Sequence, residues 1–204
     1  MEKVKAFCKR KNIEISVKRY LIDALGAMAQ GLFASLLIGT IISTLGTQLH
    51  IPILETVGTY AKAAVGPAMA IAIGYALQAA PLVLFSLAAV GAAANELGGA
   101  GGPLAVLVVA IFAAEFGKAV SKETKIDIIV TPFVTIFVGV ALSIWWAPAI
   151  GAAASAVGNA IMWATELQPF FMGIIVSVIV GIALTLPILS LIHISEPTRL
   201  DVIS

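Results

Sequence analysis

Residues 63–103 read AAVGPAMAIAIGYALQAAPLVLFSLAAVGAAANELGGAGGP. The first 33 of them, 63–95, carry no charge. An α-helix needs about 20 apolar residues to cross the hydrocarbon core of a bilayer, so this stretch holds more than one helical piece. Pro81 divides it. The second piece, 82–95, ends in Asn95 and Glu96 and then meets a tip with glycines at 98, 99, 101 and 102 and a proline at 103. Glycine and proline at that density end a helix. A second apolar helix, expected over 104–122, follows the tip. Two short limbs around a glycine-rich tip predict a re-entrant hairpin that returns the chain to the side it came from; a pair of full crossings is the competing reading.

The rest of the chain fits a membrane setting. Of 204 residues, 60% are hydrophobic and 11% are charged, against about 25% charged in a typical soluble domain; mean hydropathy is +1.07. Further uncharged runs cover 97–114, 128–165 and 167–192, and 24–55 holds a single acidic residue at its end. None alternates with period two, which argues against a β-barrel. The predicted fold is an all-α polytopic membrane protein, a helical bundle containing the hairpin.

Charge layout sets the expected orientation. Seven of the twelve basic residues are Lys3, Lys5, Lys9, Arg10, Lys11, Lys18 and Arg19. Basic residues beside a first membrane segment stay cytoplasmic, so residues 1–23 read as a basic cytoplasmic leader. Lys118, Lys122 and Lys125 fall on the same side after the hairpin. The leader abuts a membrane segment and has little aromatic interleaving, which argues against nucleic-acid binding. The apolar run after Asp23 is too long for a cleaved signal peptide. Cys8 is the single cysteine, and no disulfide framework follows from it.

Small residues recur every four positions: Ala27, Gly31, Ser35, Gly39, Ser43; then Gly66, Ala70, Gly74; then Thr131, Thr135, Gly139, Ser143; then Gly173, Ser177, Gly181, Thr185. Such stripes let helices approach closely. Residues 46–62 read as a polar connection outside the cell, with Pro52 as a breaker. Trp145 and Trp146 are expected to close one crossing at an interface, and 148–165 to form a separate, partly inserted helix. The membrane domain as a whole is expected over 24–189.

Polar residues at membrane depth are costly and face protein or water. Asn95 and Glu96 sit at the helix break before the tip, where a carboxylate and an amide can bind sugar hydroxyls or a cation. Glu166 and Gln168, before Pro169 and a turn after Trp163, have the make-up of a polyol site. The plain alternative for both pairs is a solvated turn at an interface. Glu115, Lys118, Lys122, Glu123, Lys125 and Asp127 read as a cytoplasmic helix end whose lysines set topology, with docking of a cytosolic partner as the lesser reading. Gln30 and Gln78 are expected to bond between helices. His50 and His193 lack metal-ligand spacing, and no Walker loop, dinucleotide fingerprint, nucleophile elbow or HExxH motif occurs. The residues therefore point to no cofactor, no metal and no self-contained catalytic site.

Four stretches carry a family resemblance: SVKRYLIDALGAMAQGLFASLLIGTII (16–42), APLVLFSLAAVGAAANELGGAGGPLA (80–105), AEFGKAVSKETKIDIIVTPFVT (114–135) and IMWATELQPFFMGIIVSVIVGIALTLPI (161–188). GKAVSKETKIDIIVTP and MWATELQPF are the most specific. Together they resemble the PfoR-type membrane proteins, a bacterial family classed with the membrane (IIC) component of the sugar phosphotransferase system. The resemblance implies a multi-pass protein of the bacterial plasma (inner) membrane that binds a sugar and presents it for phosphorylation by separate cytosolic IIA and IIB proteins. It also implies a homodimer and, by context, a sugar-contacting role for Glu96 or Glu166. Some members are classed as toxin regulators, so a ligand-binding membrane sensor without transport is the alternative; a passive channel is a third. The family continues with further helices, whereas residues 190–204, SLIHISEPTRLDVIS, resemble translated sequencing adapter. A truncated chain with a non-native tail is the expectation.

Overall fold

The computed structural model describes residues 7, 10–13, 16–165 and 177–178; Glu166, Gln168 and the tail lie outside the described residues. Contacts divide the chain into two compact units, Met1–Ser155 and Ala156–Ser204.

Six helices make up the described part of the bundle. Helix α1 covers Lys18–Leu49, with wide π-type turns at Lys18–Asp23 and Phe33–Leu37. It is followed by α2 (Pro52–Ala63), α3 (Val65–Ala76), α4 (Pro81–Gly98), α5 (Gly102–Val120) and α6 (Asp127–Thr165). Lys18–Leu49, Pro81–Val120 and Asp127–Val157 are long and apolar enough to cross a membrane. Pro81–Val120 is nevertheless two antiparallel limbs: a Cβ on Gly117 would fall 2.7 Å from Val83 Cγ1, and one on Gly102 would fall 2.6 Å from Asn95 Oδ1. The two limbs fold back on each other and run 18 and 19 residues, the first longer than the 14 expected.

Helices α1 and α3 end in the same device. His50 adopts φ 57° and Gln78 φ 54°. The Ile51 N–H then bonds back to Gly46 O, and the Ala79 N–H to Gly74 O, each at 2.9 Å. This Schellman arrangement satisfies carbonyls that a helix end leaves free. Proline opens the next helix at Pro52 and Pro81, where its missing N–H costs nothing.

The polar connection expected over 46–62 is mostly helix. Helix α2 has Pro52 at its start, Glu55 in its first turn and Lys62 in its last, charges that suit the helix dipole. It packs on the second half of α1: a Cβ on Gly58 would meet Gly39 O at 2.6 Å, and one on Gly46 would meet the Glu55 N at 2.7 Å. Sparse apolar residues hid this helix, because small-residue contact replaced a broad apolar face.

The other stripes of the described helices pack as their spacing predicts, while Gly173, Gly181 and Thr185 lie outside the described residues. A Cβ on Gly31 would fall 2.6 Å from Ala68 O, and Gly66 and Gly91 meet backbone to backbone. Thr131, Thr135 and Ser143 are buried. Their hydroxyls donate to Asp127 Oδ1, Thr131 O and Gly139 O respectively, at 2.6 to 2.8 Å, so none is left unsatisfied against the hairpin. Helix α6 runs on through Pro132 and Pro148. The break expected at Pro148 is absent, and Trp145 and Trp146 sit within the helix; Trp146 packs edge-on against Phe112 with ring centroids 5.1 Å apart.

Large apolar side chains face outward, among them Leu37, Ile41, Phe85, Phe133 and Phe137, with Trp145 82% exposed. Soluble monomers do not display apolar surface on this scale. An all-α membrane protein accounts for it, with lipid in place of water.

Candidate functional site

The hairpin tip holds the first pair of expected site residues. The Gly99 N–H caps α4 on Glu96 O, and Gly99 adopts φ 48°, ψ −120°, a backbone that essentially only glycine takes without strain. Asn95 is half-buried and Glu96 is exposed. Asn95 is wedged between α3 and α5: a Cβ on Gly66 would fall 2.8 Å from Asn95 Cβ, and one on Gly102 2.6 Å from Asn95 Oδ1. The tip abuts α6, since a Cβ on Gly101 would fall 2.9 Å from Ile150 O and one on Gly151 would fall 2.5 Å from Gly98 O. No hydrogen bond or ion pair engages the Glu96 carboxylate among the described residues. The structure places Asn95 and Glu96 together. Their juxtaposition with Glu166 and Gln168 falls outside the described residues.

Helix contacts pack the tip's surroundings. Gly31 on α1 lies against Ala68 on α3, and Gly66 lies against Gly91 and Asn95 on α4. With a rise of about 1.5 Å per residue, the tip stands roughly 27 Å from Pro81.

A second polar site forms at the opposite end of the hairpin, and sequence reasoning undervalued it. Lys118 is only 4% exposed. Its ammonium donates to Asn12 O at 2.9 Å and Leu77 O at 3.1 Å. Glu115 Oε1 lies 2.8 Å away, near enough for an ion pair but not aligned as a hydrogen bond. Arg19 donates to the same Leu77 O at 2.7 Å and to Asn12 Oδ1 at 3.1 Å. Two cations thus sit at the C-terminal end of α3, where free carbonyls carry negative partial charge. Asn12 in turn donates to Gln78 Oε1. Gln78 therefore bonds to the leader rather than between helices, and Gln30 is exposed. A Glu–Lys pair at i, i+3 looks the same in sequence whether exposed or buried. Only the arrival of Asn12 and Leu77 from distant segments buries this one.

The leader is tied to the same end by charge. Glu123 Oε1 lies 2.6 Å from Arg10 Nη2 and 2.5 Å from Lys11 Nζ, and Lys11 also donates to Ser121 O. The Lys122 N–H and the Thr131 hydroxyl both donate to Asp127 Oδ1 at 2.6 Å. These groups border an open crevice of about 490 Å³, lined by Arg10, Lys11, Asn12, Gln78, Lys118, Lys122 and Glu123.

Hydrogen bonding from Lys11, reinforced by the Arg10 charge, holds the Glu123 carboxyl below the usual carboxylate range. A depressed folded value means that the leader contact is complete above the ordinary carboxyl range and is lost as pH falls through the lower, folded one. Protease cleavage within the leader should therefore accelerate on acidification through that range. In Glu123→Gln it should be fast at neutral pH and insensitive to acid. Equal cleavage of both proteins at every pH would contradict this role for Glu123.

No group of three or more His, Cys, Asp or Glu side chains able to hold a metal occurs among the described residues. No curated protein and no solved structure matches the chain. The family model described as "Phosphotransferase system, EIIC" matches residues 22–194, which takes in α1 from Ile22 onward and α2 to α6, with the hairpin and its tip. With these helices and this match over most of its length, the chain belongs to the phosphotransferase system EIIC family, the membrane component that serves a sugar together with cytosolic phosphotransferase partners.

Proposed function

We propose that the chain binds a sugar at the hairpin tip and carries it across the bacterial inner membrane toward a cytoplasmic N-terminus. Asn95 and Glu96 are the contacts proposed on the described part of the chain, and Glu166 and Gln168 those beyond it. The observation that carries this reading is the make-up of the tip. A half-buried amide and a neighbouring carboxylate with no described partner lie at a helix break. A re-entrant hairpin would put that tip where irregular backbone can line a hydrated cavity. A free carboxylate there accepts sugar hydroxyls through charge-assisted bonds. Cytosolic IIA and IIB proteins would supply the phosphate. Clustering of Arg10, Lys11, Lys118 and Lys122 at the other end supports placing that end in the cytoplasm.

The test is uptake of a panel of labelled sugars into sealed vesicles containing the protein. One sugar should accumulate when IIA, IIB and the phosphoryl donor are enclosed. Glu96→Gln should weaken its binding by about tenfold or more, the loss of one hydrogen bond to a charged group, while leaving the thermal midpoint in place. Saturable binding with no uptake would favour the membrane-sensor reading. Unchanged binding in Glu96→Gln would remove Glu96 from the site.

A further inference from the structure

The crevice at the leader end is not used by the sugar route proposed above, which turns on the opposite end of the hairpin. Three separate segments build it: the leader, the turn after α3 and the loop after α5. Four of its side chains are cationic, Arg10, Lys11, Lys118 and Lys122, against one carboxylate, Glu123. Their charges are unevenly spent. Lys118 is neutralised by Glu115 and saturated by two carbonyls. Arg10 and Lys11 share the single Glu123 carboxylate. The Lys122 ammonium makes no hydrogen bond and no salt bridge among the described residues; the adjacent Glu123 shares its Oε1 between Arg10 and Lys11, and Asp127, whose carboxyl feels the Lys122 charge only at longer range, has Oδ1 occupied by the Lys122 N–H and the Thr131 hydroxyl. Gln78 spends its Oε1 on Asn12, leaving its amide hydrogens to donate.

Lys122 is also held in place. Its backbone sits at φ 61°, a strained conformation for a residue with a side chain, and its N–H is pinned to Asp127. A surface lysine present only to set topology needs no such fixing. Donors outnumber acceptors in the crevice, and Glu123 already shares its Oε1 between Arg10 and Lys11, which is the composition of an anion site. Its volume of about 490 Å³ admits a phosphate group with a small substituent.

The geometry points to this crevice as a binding site for a phosphate group, gripped by Arg10, Lys11 and Lys122 with Gln78 donating. Occupancy ties the leader to the α3 and α5 ends, because the ligand bridges segments that otherwise meet through Glu123 and the Lys118 knot. The phosphate could belong to a soluble phosphate ester or to a lipid headgroup, since both present the same oxygens.

The test is thermal unfolding of the whole chain in neutral detergent, titrated with inorganic phosphate against sodium chloride of matched ionic strength. A saturable rise in midpoint specific to phosphate is expected. Lys122→Gln and Arg10→Gln should each weaken phosphate binding about tenfold, the loss of one charge-assisted contact. Lys125→Gln, on the same loop but outside the crevice lining, should bind as the parent does. No saturable rise, or an equal loss in Lys125→Gln, would overturn the site in favour of diffuse electrostatics. Repeating the titration in phosphatidylcholine and phosphatidylglycerol nanodiscs identifies the source. Phosphate binding lost only in phosphatidylglycerol marks a headgroup site, and equal binding in both marks a soluble phosphate. Neither outcome depends on sugar uptake, so this site and the sugar route stand or fall separately.

Discussion

Gly91→Val is expected to prevent the bundle from closing. Gly91 on α4 and Gly66 on α3 meet backbone to backbone: a Cβ on either would fall 2.3 Å from the carbonyl oxygen of the other. The Gly91 side is further closed by Ala70 Cβ at 2.5 Å. No flexible side chain is available to give way, so two helices would have to separate. In a bilayer, lipid-soluble helices associate through close packing rather than hydrophobic transfer, and separation removes the packing itself. Overpacking a core costs about 1–3 kcal/mol and occasionally more; here valine should exceed that range and alanine should reach its upper end. The measurement is the fraction of monodisperse protein on size exclusion in mild detergent, with the thermal midpoint. Gly99→Ala is the informative contrast. Nothing lies within 4 Å of a Cβ there, so its cost is only that of a backbone with φ 48°, about 1–3 kcal/mol. A Gly91→Val protein as stable as the parent would show that α3 and α4 do not touch along this seam.

The second large effect is expected at Lys118. Lys118→Met should destabilise the protein by about 3–5 kcal/mol, the cost of removing one partner from a buried ion pair. Met fills the space, but Glu115 would keep a charge in an almost closed pocket, and Asn12 O would lose the described donor that joins it to α5. Leu77 O would retain Arg19. The double variant Glu115→Leu/Lys118→Met should recover much of the loss, because replacing both charges removes the uncompensated one. Thermal midpoints of parent, both single variants and the double variant form a cycle whose coupling should be at least 1 kcal/mol. Additive losses would mean that Glu115 and Lys118 act separately. Leader cleavage gives an independent readout: it should accelerate in Lys118→Met, since Asn12 is held by that ammonium, and an inert filler role would leave it unchanged.

Much of this architecture is written in local pattern. Uncharged runs gave the membrane helices because burying charge in lipid is costly at any position, whatever the partner. The four-residue stripes marked the contact faces: Gly31 meets α3, Gly39 meets α2, and Gly139 meets the hairpin. Glycines and a proline at 98–103 located the hairpin turn. Where local pattern misled, a distant partner was responsible. Helix α2 looked like a loop because its buried contact, Gly58, packs against Gly39 and Ser43 of α1 rather than against bulky apolar residues. Pro148 looked like a break, yet α6 continues through it, with Ala147 buried and Gly151 against the hairpin tip. Asn95 and Glu96 were legible as candidates because polar residues at a helix break are unusual in such a run.

The amino-acid sequence by itself determined the solvent this protein lives in, its helical class, its packing faces and the two polar pairs proposed for sugar, because hydropathy and spacing act within one helix. Only the tertiary structure decided that Lys118 is buried, that the leader folds back on the loops after α3 and α5, and that cations from separate segments share one crevice. Those facts depend on which distant carbonyls and carboxylates arrive beside each charge, and a lysine has the same side chain whether water or protein surrounds it.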